Sequence, residues 1–267
     1  MKEKLKKGIY VIPSIFTCGN MSCGYLSVIA SIDGDFTKSA WLLMLAMAFD
    51  IMDGRIARLT KATSEFGVQL DSLSDLISFG VAPSVMMYQL VLNSMGKIGI
   101  SIAVLFVLCS ALRLAKFNVK AQDGIVRVSF SGLPTPASAG LLISFVLSYE
   151  LFSAGTAESL TFKTIPILMD HMPVFFKMMP VVMVILSLLM VSNIPYASFK
   201  KMKLSKPKAF RLLVLIVLLV FLIIAFPQNT IFILYSLYIL SGILFIGTKY
   251  YRICKIRVNL KGDHRSD

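Results

Sequence analysis

The sequence predicts an all-α integral membrane protein with about eight transmembrane helices. Of the 267 residues, 57% are hydrophobic and only 15% are charged, and the mean hydropathy is +0.79. Soluble domains usually contain roughly 45–50% apolar and about 25% charged residues. The composition therefore excludes an ordinary soluble globule, a disordered chain and a fibrous repeat.

The predicted spans follow from length, since a helix needs about 20 apolar residues to cross the roughly 30 Å of bilayer hydrocarbon. Eight stretches satisfy this requirement: 10–32, 38–58, 73–94, 97–117, 134–154, 173–192, 209–226 and 229–248. The lysine-rich loop at 192–208 divides six spans from a last apolar pair. We therefore expect a six-helix membrane domain over 1–195, an additional helix pair over 196–248 and a basic tail over 249–267.

The basic residues predict the orientation of these spans. Eight spans would place 23 of the 27 Lys and Arg residues on the side that holds both termini. Positive residues concentrate in cytoplasmic loops, so we expect a multi-pass protein of the cytoplasmic membrane with both termini inside. The formal net charge of +13 is then explained by loops that face anionic lipid headgroups, and no nucleic-acid partner is expected.

Four carboxylates occur where a membrane span should not contain them. Asp50 and Asp53 are three residues apart, and Asp71 and Asp75 are four apart, so each pair shares one helix face. Charged groups inside spans are costly and usually functional. The basic segment between the pairs belongs at the cytoplasmic surface, so the second and third spans meet there. Their turn can direct all four carboxylates toward one another.

A bare cluster of this kind would be strongly repulsive in a partly desolvated site. Divalent cations remove the repulsion, and ligation by oxygen alone favours Mg²⁺, Mn²⁺ or Ca²⁺ over Zn²⁺. Two such ions are a recurring device for displacement at phosphate esters. Two alternatives remain: the aspartates could be helix caps and surface ion pairs with Arg55, Arg58 and Lys61, or they could bind a cation in transit through a transporter.

The segment from Asp50 to Asp75 carries a specific resemblance. It reads D-I-M-D-G-R-I-A-R, eight residues, then G-V-Q-L-D-S-L-S-D. This resembles the signature of the CDP-alcohol phosphotransferases at every fixed position. The resemblance implies a six-helix catalytic core within about 1–195, a homodimer, and Mg²⁺ or Mn²⁺, with two ions, on Asp50, Asp53, Asp71 and Asp75. It further implies that Asp75 is the catalytic base. The residues implied to bind the CDP part of the lipid donor are Gly54, Ala57, Arg58 and Gly67.

Three further segments are similar to the phosphatidylserine synthase branch of that family. They are I-P-S-I-F-T-C-G-N at 12–20, L-R-L-A-K-F-N at 112–118 and F-S-G-L-P-T-P-A at 130–137. The similarity implies CDP-diacylglycerol as donor and L-serine as acceptor, with phosphatidylserine and CMP as products. It also places Asn20 near the donor nucleotide. Arg113 and Lys116 are candidate contacts to the acceptor, and the alternative for both is a helix-end cation that faces lipid headgroups.

The acceptor is the open part of this interpretation. Choline, inositol or glycerol phosphate would use the same chemistry. A cation-coupled transporter predicts polar or acidic residues that continue across the bilayer, and the later spans contain almost none. A membrane phosphatidyltransferase, CDP-diacylglycerol–serine O-phosphatidyltransferase in activity, is therefore the favoured prediction.

Overall fold

The structure, a computed structural model, describes residues 2–60, 64–122, 130–154, 171–196, 217, 221–222, 225–226 and 228–244. Within these residues the chain is almost entirely helical. The helices are α1 Lys2–Ile32, α2 Phe36–Thr60, α3 Glu65–Asp75, α4 Ala82–Met87, α5 Lys97–Gln122, α6 Thr135–Ala154, α7 Met172–Val191 and α8 Gln228–Leu244. Two short strands, β1 Phe130–Ser131 and β2 Pro195–Tyr196, form an antiparallel pair.

The first two helices form an antiparallel hairpin, and among the elements that the structure describes α1 and α2 pack against each other most extensively. Gly34 makes the turn between them with a φ of 79°, a value that favours glycine. Near this turn the Ser39 hydroxyl lies 2.8 Å from that of Ser27 and 2.7 Å from that of Ser31. These bonds satisfy buried hydroxyls at the end of the hairpin that lies away from the aspartates.

The third helical segment is continuous over Glu65–Met95, but it is not a uniform α-helix. π-Helical turns occupy Leu76–Val81 and Tyr88–Leu92 on either side of α4, which has Pro83 in its first turn. Such turns often occur at functional sites. The first one begins directly after Asp75. The hydroxyls of Ser74 and Ser78 donate to the Thr17 and Asn20 carbonyls of α1, each at 3.0 Å.

Helix α6 lies in the core of the bundle. Leu142, Ile143 and Phe145 on this helix are completely buried, and its neighbours include α2 and α7. A helix that is apolar all round is suited to this position. Helix α8 covers the same core, since the ring of Phe232 lies 6.1 Å from that of Phe145 and 5.8 Å from that of Phe175.

The prediction of an all-α membrane protein is confirmed, whereas its count of eight crossings is not. Within the described part of the chain, four helices are long and apolar enough to cross a membrane: Pro13–Ile32, Glu65–Met95, Lys97–Val119 and Met172–Val191. The predicted second and fifth spans form helices α2 and α6, and the eighth forms the shorter helix α8. Most of the predicted span at 209–226 and the whole tail at 249–267 lie outside the described residues. The three-part domain division stays a prediction.

Candidate functional site

The structure brings together all four aspartates that the sequence singled out. Carboxylate oxygens of Asp50, Asp53 and Asp71 lie within 4.8 Å of one another. Asp75 lies beside this set, within hydrogen-bonding reach of Asp50. Helix α2 supplies the first pair and α3 the second, at the end of the bundle where the two helices meet. The helical spacing therefore placed the carboxylates on facing surfaces as expected.

Helix α1 lines the other side of the cluster with two polar side chains. The Thr17 hydroxyl donates to Asp53 Oδ2 at 3.1 Å, and Asn20 Nδ2 donates to Asp75 Oδ1 at 3.4 Å. Both donors are buried, and Asp53 itself is only 5% exposed. The buried Asp71 Oδ1 has no hydrogen-bond partner among the described residues. An unpartnered buried carboxylate oxygen within an acidic cluster fits a ligand position for a hard cation.

The basic residues between the two pairs do not neutralise the cluster. Arg55 and Arg58 are exposed, and no ion pair joins either of them to the four aspartates in the described ranges. Arg58 Nε instead donates to the Gly54 carbonyl at 2.6 Å. The cap of α3 is Ser64, whose hydroxyl accepts from the Gly67 amide at 3.0 Å. Helix capping and ion pairs with these arginines therefore do not explain the aspartates, and Lys61 lies outside the described residues.

A cavity of about 250 Å³ opens directly beside the carboxylates. All four residues that the resemblance assigned to the donor line it, together with two of the aspartates. The complete lining is Pro13, Ser14, Thr17, Asp53, Gly54, Ala57, Arg58, Ser64, Gly67, Val68 and Asp71. Small residues keep this space open, and a Cβ added at Gly54 would come no closer than 3.9 Å to the Arg58 guanidinium. The lining of the cavity thus contains both the carboxylates of Asp53 and Asp71 and the guanidinium of Arg58.

Asn20, which the resemblance placed near the donor nucleotide, is not among the residues that line this cavity, and its contact with the nucleotide stays a prediction. It lies one turn further along α1 than Thr17 and contacts Asp75 instead.

Thr17 and Ser64 were not predicted as site residues. Thr17 could have been found from its spacing, because it lies three residues before Asn20 on the same helix and so shares its face.

The two candidate acceptor residues have different surroundings. Arg113 is only 9% exposed, and it lies within electrostatic range of Asp75. Its Nη1 donates to Thr135 Oγ1 at 3.2 Å, whereas its buried Nε has no partner among the described residues. Lys116 Nζ donates to Asn193 Oδ1 at 2.8 Å. The structure therefore brings Arg113 toward the carboxylates and ties Lys116 to the segment after α7.

Comparison with known proteins identifies the family. A sequence model of the CDP-alcohol phosphatidyltransferases matches residues 10–168, which include most of α1, all of α2 and α3, and the whole carboxylate cluster. The chain belongs to this family. The assignment confirms the prediction made from the motif between Asp50 and Asp75, and it places this CDP-alcohol phosphatidyltransferase among enzymes.

Individual relatives extend the similarity beyond the family model. The CDP-diacylglycerol–serine O-phosphatidyltransferase of Helicobacter pylori is 35% identical over 239 residues, which cover 88% of this chain and 91% of the relative. The archaetidylserine synthase of Methanothermobacter thermautotrophicus is 40% identical over 150 residues, 55% of this chain and 63% of its own. The CDP-diacylglycerol–serine O-phosphatidyltransferase of Bacillus subtilis is 34% identical over 147 residues, which cover 54% of this chain and 81% of the relative.

Proposed function

We propose that this protein transfers the phosphatidyl group of CDP-diacylglycerol to the hydroxyl of L-serine, giving phosphatidylserine and CMP. The observation that carries the proposal is the position of the carboxylate cluster, two of whose members, Asp53 and Asp71, line the same cavity as Gly54, Ala57, Arg58 and Gly67. The named activity of the Helicobacter pylori relative, which matches most of this chain, supports serine as the acceptor.

Asp50, Asp53, Asp71 and Asp75 would hold the divalent metal centre, with Mg²⁺ or Mn²⁺ as its ions and two ions in all. The donor set consists of oxygen atoms only, and the unpartnered Asp71 Oδ1 fits such a role. When bound, the metal supplies positive charge that stabilises the diphosphate and the departing CMP phosphate. The hydrogen bond from the Thr17 hydroxyl to Asp53 Oδ2 restrains the orientation of this carboxylate.

The CDP part of the donor would occupy the 250 Å³ cavity. Gly54, Ala57 and Gly67 provide space for it. Arg58 lies at the rim, where its guanidinium can make a two-pronged contact with a phosphate. The acyl chains of the donor can remain in the bilayer, because the cavity lies at the end of the helices rather than at their middle.

Asp75 would act as the base for the transfer step. It lies beside the three carboxylates that approach within 4.8 Å, and the bond from Asn20 Nδ2 to its Oδ1 orients it. The serine hydroxyl oxygen forms a bond to the phosphatidyl phosphorus, its proton passes to the Asp75 carboxylate, and the bond to the bridging oxygen breaks as CMP leaves with the electron pair. A weak base suffices when the hydroxyl is held in line for attack.

Arg113 would bind the serine carboxylate. A guanidinium that is almost buried needs an anionic or polar partner, and only its Nη1 has one among the described residues. Lys116 is a second candidate for the acceptor, and its bond to Asn193 would have to open for that role.

The site would face the cytoplasm, since the excess of Lys and Arg predicts that both termini and the loop between α2 and α3 lie there. The donor would then reach the site from the inner leaflet and serine from the cytosol, while cationic loops contact anionic headgroups. We further propose that the protein is a homodimer, as the family resemblance implies.

The direct test is CMP release by the purified full chain. It should be supplied with CDP-diacylglycerol and, in turn, L-serine, inositol, choline or glycerol 3-phosphate, with and without a chelator. We expect release with serine alone, abolished by the chelator and restored by Mg²⁺ or Mn²⁺. Release with another alcohol but not with serine would overturn the acceptor. Cation flux into liposomes without CMP release would favour a transporter instead.

A further inference from the structure

Helix α5 runs antiparallel along the helical segment that carries Asp75. At one end of this contact Asn118 Nδ2 donates to the Ser72 hydroxyl at 2.9 Å. About two turns further along, a Cβ added at Gly80 would come within 3.2 Å of the Ser110 Cβ. Asp75 lies between Ser72 and Gly80 in the chain. The part of α5 between its own two contact residues therefore lies alongside the turn that carries Asp75.

Arg113 belongs to this part of α5, and one hydrogen bond holds its guanidinium. Its Nη1 donates to Thr135 Oγ1 at 3.2 Å, and Thr135 is completely buried. The buried Nε of Arg113 has no partner among the described residues. Nε and Nη2 form a separate edge of a guanidinium, which can bind a carboxylate through two parallel hydrogen bonds. The bond to Thr135 does not use that edge.

The backbone around Thr135 is itself fixed to the end of α7. Thr135 is the first residue of α6, and the two residues that follow β1 bind the chain near the end of α7. The Gly132 amide donates to the Ile194 carbonyl at 2.9 Å, and the Leu133 amide donates to the Leu189 carbonyl at 3.0 Å. The Thr135 hydroxyl therefore offers the arginine an acceptor whose position is set by the fold.

We propose that Thr135 is a positioning residue for the acceptor: its hydroxyl holds Nη1 of Arg113, so that the edge formed by Nε and Nη2 is presented to the carboxylate of the incoming amino-acid alcohol. The inference rests on the proposed function, because it assumes that Arg113 binds the acceptor. It gives the start of α6 a role in acceptor binding, whereas the carboxylate cluster and the donor cavity are built by α1, α2 and α3.

The test is Thr135→Val in the full chain, which keeps the shape of the side chain and removes the hydroxyl. We expect KM for serine to rise about three- to tenfold, as for loss of one hydrogen bond to a charged group, while kcat and KM for CDP-diacylglycerol change less than about twofold. Thr135→Ser keeps the hydroxyl and should restore KM for serine to within about twofold of wild type. Thr135→Ala removes the same hydroxyl and replaces the valine variant if the latter does not fold.

Two comparisons separate this role from a structural one. Ser138→Ala is the matched control, because Ser138 is a buried hydroxyl one turn later on α6 that donates to the Pro134 carbonyl at 3.3 Å. It should leave KM for serine within about twofold of wild type. A cycle with Arg113→Met, which has no donor for Thr135, tests whether Thr135 acts through the arginine. In that background Thr135→Val should change kcat/KM for serine by less than about twofold.

Four outcomes would overturn the inference. An unchanged KM for serine in Thr135→Val, with a wild type that uses serine, would do so and leave the proposed function intact. So would a Thr135→Ser variant as impaired as Thr135→Val, since the hydroxyl would then not matter. Equal losses from Thr135→Val in the wild-type and Arg113→Met backgrounds would show that Thr135 does not act through Arg113. A wild-type enzyme that releases CMP with another alcohol only would overturn the proposed acceptor and this inference together.

Discussion

The hydroxyl of Thr17 on α1 donates a hydrogen bond to Asp53 Oδ2 on α2 over 3.1 Å. The same hydroxyl lies 3.1 Å from the Pro13 carbonyl of its own helix. The carboxylate of Asp53 is therefore restrained from outside its own helix by a hydrogen bond to Oδ2. A carboxylate fixed in this way is prepared for a cation before the cation arrives.

Thr17→Val is expected to weaken metal binding at the carboxylate cluster without abolishing activity. The variant keeps the shape of the side chain and removes the donor to Asp53, which is worth about 1 kcal/mol or somewhat more when the acceptor is charged. The Mg²⁺ concentration for half-maximal CMP release should rise about three- to tenfold. Thr60→Val is the control, since that exposed hydroxyl donates only to the Ile56 carbonyl of α2. Equal Mg²⁺ dependence in the two variants would contradict the role of Thr17.

Asp75→Asn tests whether Asp75 acts as the base in addition to its place in the metal centre. Asp75 lies beside the three carboxylates that approach within 4.8 Å rather than among them. Because Asp50, Asp53 and Asp71 remain, the variant should still bind Mn²⁺, more weakly than the wild type, and it should lose about 10²- to 10⁴-fold in kcat, the usual contribution of a general base. Single-turnover CMP release and the electron paramagnetic resonance signal of Mn²⁺ measure the two properties in one sample. Turnover at the wild-type rate would remove Asp75 as the base.

Ala57→Leu tests the cavity as the donor site. Ala57 lines the cavity, and a leucine there would occupy part of its 250 Å³. Overpacking of this kind costs about 1–3 kcal/mol, so KM for CDP-diacylglycerol should rise about tenfold or more while KM for serine stays constant. Ala48→Leu on the exposed face of α2 is the control and should change neither. An increase confined to KM for serine would place the acceptor, not the donor, in this cavity.

Gly132→Ala tests the turn between β1 and α6. Gly132 has a φ of 88°, and a Cβ there would overlap the Met190 carbonyl of α7. The strained backbone alone costs about 1–3 kcal/mol, and the overlap adds to it. The apparent Tm in detergent should fall clearly below that of Gly34→Ala, which also has positive φ but has nothing within 4 Å of the added Cβ. Equal Tm values for the two variants would show that the turn tolerates a side chain.

The sequence predicted which carboxylates come together because helical spacing decides which side chains share a face. Asp50 and Asp53 on one helix, and Asp71 and Asp75 on the next, could meet only where those helices approach each other. Gly54 and Gly67 could then be predicted as site residues, since Gly54 follows Asp53 directly and Gly67 lies one helical turn before Asp71. The family motif added the roles, which spacing alone does not provide.

Other features depend on contacts that leave no periodic signal. The two-residue strands that join Phe130 to Tyr196 are too short to show an alternating pattern, and they connect segments more than sixty positions apart. Asp75 lies beside the closest set of three carboxylates rather than within it, and a π-helical turn begins at the next residue, Leu76. The ring of Tyr196 occupies the place where a Cβ on Gly242 of α8 would lie. This contact likewise depends on how α8 packs on the bundle, which the sequence of the helix alone does not specify.

The central claim is that the carboxylate cluster binds the divalent ions that the transfer needs. The most direct measurement is Mn²⁺ bound to the purified protein by electron paramagnetic resonance, with CMP release from the same samples, for wild type, Asp71→Asn and Asp33→Asn. Asp33 lies at the opposite end of the α1–α2 hairpin. The account predicts that Asp71→Asn loses bound Mn²⁺ and more than about 100-fold of activity, while Asp33→Asn keeps both. Wild-type Mn²⁺ binding and full CMP release in Asp71→Asn would contradict it.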